Sequence, residues 1–97
     1  MKVRVDIQEL RDWVWSLIQK QPPLYIRKAL EDFSYEVESL PDDTKELPLS
    51  QLLGWFDRVI WSCGKSYYHG YVQREFMREV VEYRDKLLQR GLGNQPP

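Results

Sequence analysis

Apolar side chains return every three or four positions in four separate stretches of this 97-residue chain, and proline or glycine punctuates each stretch. That recurrence matches the 3.6-residue turn of an α-helix and gathers the apolar groups of each stretch on one face. Four such faces, joined by short connectors, have to cover one another. The pattern therefore predicts an all-α fold, a small single-domain bundle of about four helices.

The first helix is the best marked. Asp6 is placed as its N-cap, Glu9 follows three positions on as in a capping box, and Val5 and Leu10 are spaced as a hydrophobic staple. Ile7, Leu10, Val14, Leu17 and Ile18 make its apolar face. Pro22-Pro23 stops it and opens the second helix, whose stripe is Ile26, Ala29, Leu30, Phe33, Val37 and Leu40. Pro41 to Pro48, reading PDDTKELP, is expected to be a polar connector, with Asp43 and Glu46 capping at most a single turn.

Ser50 is expected to cap the third helix. Leu49, Leu52, Leu53, Phe56, Val59, Ile60, Cys63 and Tyr67 form its stripe, while Trp61 and Tyr68 fall almost opposite. A helix apolar on two sides is expected to be surrounded by neighbours. Gly54 and Gly64 would then admit a close crossing, and either Gly64 or Gly70 ends the helix. In the last stretch Val72, Phe76, Val80, Tyr83 and Leu87 recur, with Gly91 placed as the C′ residue. The reading is one domain over residues 1–91 and a flexible tail over 92–97.

Composition fits a folded domain: 42% hydrophobic and 30% charged residues, with four Trp, six Tyr and three Phe to fill a small core. One cysteine, Cys63, excludes an internal disulfide and a multi-cysteine zinc site. No run of 18 apolar residues occurs, so no membrane-spanning helix is expected, and the N-terminus lacks a signal-peptide pattern. A reducing, cytoplasmic setting follows as the simplest expectation. The net charge of −1 conceals a central acidic block: residues 31–47 hold seven carboxylates and only Lys45.

Chemical motifs are sparse. Gly64-Lys65-Ser66 has the form of a P-loop end, but Val59 stands where the loop needs its first glycine. His69 has no second histidine for a metal site and no marked triad partner, and Cys63 sits on an apolar stripe. Glu75, Glu79, Glu82 and Asp85, set against Glu31, Asp32, Glu36 and Glu38, make a magnesium-dependent hydrolase the enzyme reading least easily excluded, although alternating cations mark these rows as a solvated face. No catalytic residue, metal ligand or cofactor is assigned.

By elimination, the expected role is a non-enzymatic protein–protein interaction module, an adaptor or inhibitor of a larger complex. Its apolar anchors would be Trp61 and Tyr68, with Asp32, Glu36, Asp42 and Asp43 guiding a partner that has a basic surface. The alternative is a nucleic-acid-associated protein using Lys65, Arg74, Arg78, Arg84 and Arg90. A homodimer seam on helix three is a further option.

Overall fold

Helix α1 (Ile7–Gln19) begins at the expected cap, where the Asp6 carboxylate accepts the Glu9 N–H at 3.1 Å. The capping box is only half built, because the Glu9 carboxylate turns away to accept from Arg90. The computed structural model describes residues 1–64 and 71–92. Within them lie β1 (Lys2–Arg4), α1, α2 (Leu24–Glu38), β2 (Glu46–Pro48), α3 (Leu49–Gly64) and α4 (Tyr71–Leu92). The all-α bundle is the observed architecture, with one small addition.

That addition corrects the connector. Glu46–Pro48 is a strand, antiparallel to Lys2–Arg4, with Val3 opposite Leu47. Each strand buries only its central residue, so Val3 and Leu47 join the core while their neighbours face out. Three residues with a single apolar one carry no readable period of two. The pairing comes from tertiary contact, since the ribbon lies against α4 and α3.

Neighbouring helices pack in chain order, α1 on α2, α2 on α3 and α3 on α4. Side chains close the ring between α1 and α4: Glu9 meets Arg90, Trp13 stacks on Tyr83, and Lys20 meets Glu79. Residue numbers rise on α1 as they fall on α4, so the two helices run antiparallel. The core follows the apolar stripes closely, with Leu10, Val14, Leu17, Ile26, Leu30, Phe33, Val37, Leu52, Phe56, Val59 and Val80 almost fully buried. Among the described residues, no buried side-chain nitrogen or oxygen lacks a hydrogen-bond partner.

Two glycines behave differently from expectation. Gly91 is not a C′ residue: it is buried inside α4, which continues to Leu92. A Cβ there would collide with Val3 and come within 2.7 Å of the Arg4 carbonyl oxygen, so glycine lets β1 press onto the helix. Leu92, expected to start the tail, is instead the last residue of α4 and packs on the core. Gly54, expected at a helix crossing, is exposed and faces open space.

Arg11 seals the end of α2. Its side chain is only 10% exposed; Nη2 donates to the Leu40 carbonyl at 2.7 Å and Nε to that of Val37 at 3.3 Å. Nη1 holds Asp42 at 2.7 Å. One guanidinium thus satisfies carbonyls that a helix C-terminus leaves open and ties down the start of the loop.

Candidate functional site

Helix α1 ends without a glycine. Gln21 adopts the left-handed region, φ 55°, and its N–H donates to the Ile18 carbonyl at 3.1 Å. A side chain makes that conformation cost roughly 1–2 kcal/mol. The following Pro22 disfavours it further, because a residue before proline avoids helical angles. Strain of this kind persists only where the surroundings enforce it, and it gathers at sites that bind.

Gln21 lines a groove of about 590 Å³ between α1 and α2. Trp15, Ile18 and Pro22 give it apolar surface; Arg27, Glu31 and Ser34 form the polar wall from α2. Arg27 Nε donates to the Glu31 carboxylate at 2.9 Å, one helical turn away, which fixes that wall. Trp15 is 59% exposed. Leu24 and Tyr35, 66% and 74% exposed, extend the row that steps through Arg27 and Glu31 at helical spacing. Four exposed large hydrophobics, Trp15, Leu24, Tyr25 and Tyr35, lie on α1 and α2. Exposed Asp32 and half-buried Glu36 stand beside Tyr35.

The off-stripe aromatics divide cleanly. Trp55 is core, while Trp15, Tyr35 and Trp61 reach the surface. Trp61 is 63% exposed, so α3 is not enclosed on its second side. Tyr68, Lys65 and His69 lie outside the described residues. Asp42 and Asp43 are exposed in the loop after α2, where Asp42 also serves the Arg11 clamp.

The cations expected to follow a phosphate backbone are largely engaged. Arg78 lies 3.5 Å from Glu75 and 3.9 Å from Glu82, Arg84 is 3.2 Å from Asp85, and Arg90 is 2.8 Å from Glu9. Arg74 is exposed on the same helix. The carboxylate rows are likewise drawn to cations: Glu79 to Lys20, Glu31 to Arg27 and Glu38 to Arg11. Among the described residues, no three histidine, cysteine or carboxylate side chains gather as a metal site.

Three of the described groups have altered acidities, one of them Arg90, whose hydrogen bond to the Glu9 carboxylate holds its guanidinium above the usual value. Burial pushes the Cys63 thiol up from 9.0 to about 11, leaving it protonated and unreactive at neutral pH. Burial, reinforced by the Glu9 carboxylate, pushes Tyr83 up from 10.0 to about 12. Tyr83, Glu9 and Arg90 share a recess of about 230 Å³ with Arg4 and Asp6, in which two cations offset two carboxylates.

The high aromatic content of the sequence does not by itself mark this groove. The helical spacing of Leu24, Arg27, Glu31 and Tyr35 was legible; the approach of Trp15 to that row, and the backbone of Gln21, were not. No protein-family model, curated protein or solved structure matches the chain. No helix among the described residues is long and apolar enough to cross a membrane.

Proposed function

We propose that the protein is a non-enzymatic helical module that captures another protein on its α1–α2 face. One observation carries this reading: Trp15 lines the groove, and Leu24 and Tyr35 expose large apolar side chains on the adjoining row of α2, whose side away from the groove carries Asp32 and Glu36. Exposed aromatics flanking a recess provide rigid contact area of the type that dominates binding energies. The acidic flank selects a partner with a basic surface and speeds its approach. Asp43, exposed in the loop after α2, extends the same field. Trp61 lies on α3, apart from this face.

The test uses photo-crosslinking residues placed singly at positions 15, 35 and 61 in the native host. Adducts to one basic protein from positions 15 and 35 are expected. Trp15→Ala and a Glu36→Lys/Asp43→Lys pair should each weaken that capture at least tenfold with Tm unchanged, the second more strongly at low salt. Adducts confined to position 61, or capture insensitive to both variants, would remove the α1–α2 face from the function.

A further inference from the structure

Helix α3 contains a glycine against which no described residue packs. Gly54 sits mid-helix, its φ is not positive, and a Cβ there would meet no heavy atom within 4 Å. Seven positions on lies Trp61, 63% exposed. Seven residues are nearly two full turns, so the two share one line along the helix surface. Asp57 and Arg58, both exposed, fall about 50° to either side of that line at 100° per residue. Half-buried Leu53 and Ile60 continue the surface beyond Asp57.

We propose that this line is the seam of a parallel, two-fold symmetric dimer formed with a second copy of the chain. Gly54 against its own counterpart lets the two backbones approach, and the paired Trp61 side chains pack where the seam widens. The charges choose the direction. When two parallel helices are related by a two-fold axis, the left flank of one faces the right flank of the other. Asp57 of each copy then meets Arg58 of the other, twice. An antiparallel pair would set Asp57 against Asp57 and Arg58 against Arg58, and like charges repel. The row is thus self-complementary in charge, which a two-fold interface requires. It lies on a different helix from the α1–α2 face and stands independently of it.

A single helix row buries less than a standard interface, so the dimer is weak, and sedimentation equilibrium from roughly 10 μM to 1 mM covers its range. The weight-average mass should rise toward twice that of one chain. Gly54→Gln fills space that is open within the chain, so it should raise Tm while weakening association at least tenfold. Asp57→Arg should also abolish the dimer, and Asp57→Arg combined with Arg58→Asp should restore it. Under mild oxidation Gly54→Cys should form disulfide-linked dimers, because a parallel two-fold sets the residue against itself; Cys63 is buried and contributes none. A monomer throughout the range, association indifferent to Gly54→Gln, or failure of Gly54→Cys to cross-link would each overturn the proposal.

Discussion

Trp13 of α1 lies flat against Tyr83 of α4, ring centroids 4.1 Å apart and planes 8° from parallel. The same indole reaches Phe33 of α2 at 6.2 Å and Phe56 of α3 at 5.6 Å. One side chain therefore touches an aromatic ring from every other helix.

Truncating such a hub removes contacts that no neighbour can replace. Trp13→Ala is expected to cost about 3–5 kcal/mol, close to the whole stability of a small domain. Trp13→Phe should retain part of it. Urea unfolding followed by far-ultraviolet circular dichroism gives both values; a loss under 1 kcal/mol for the alanine variant would show that the rings do not form one cluster.

Gly54 and Gly91, two helical glycines with opposite surroundings, should respond with opposite signs. Gly54→Ala adds a methyl group to open space and should stabilise by up to about 1 kcal/mol. Gly91→Ala drives a methyl group into Val3 and the Arg4 backbone and should destabilise by about 1–3 kcal/mol. Adding Val3→Ala cannot rescue it, because the backbone obstruction remains. Thermal melts of the four proteins decide this.

Arg11 acts by geometry as much as by charge. Arg11→Lys keeps the cation but cannot reach two carbonyls and a carboxylate at once, so a cost of about 1.5–3 kcal/mol is expected. Asp42→Asn should cost less than about 1 kcal/mol, since that carboxylate is 93% exposed and screened by water. Hydrogen exchange should show the amides of Ser39 and Leu40, bonded to the Tyr35 and Val37 carbonyls, losing protection in the lysine variant.

Alkaline pH should destabilise the fold. Cys63 and Tyr83 hold their protons more tightly folded than unfolded, so the unfolded chain releases protons first as pH rises. Stability contributed by Cys63 falls between pH 9.0 and about 11, and that from Tyr83 between 10.0 and about 12. Neither group contributes a slope near neutrality. A Tm profile from pH 8 upward should bend down above 9, and Tyr83→Phe should flatten its upper part.

Much of the helical plan was legible in the residues. Asp6, Pro22-Pro23 and the apolar stripes place α1, α2 and most of the core, because caps, prolines and helical spacing act locally. What escaped depended on contacts distant in sequence. Trp13 fits the spacing of Leu10 and Leu17, yet its role as hub exists only once three other helices arrive. Gly91 reads locally as a helix stop, and only the approach of β1 makes it an interior residue. For the candidate site, the surplus of aromatics was visible, but which of them stay exposed was decided by how α1 settles on α2.

The contact between Gly91 and Val3 also sets an order of events during synthesis. Residue 3 leaves the ribosome early and must wait for residue 91 before its seat exists. Until then Val3 and Leu47 can pair with each other but not settle against α4, and the faces meant for Val80 and Leu87 stand open to water. A nascent chain lacking residue 91 would be greasy and sticky, so the molecule is expected to lock shut only once the last turn of α4 has formed.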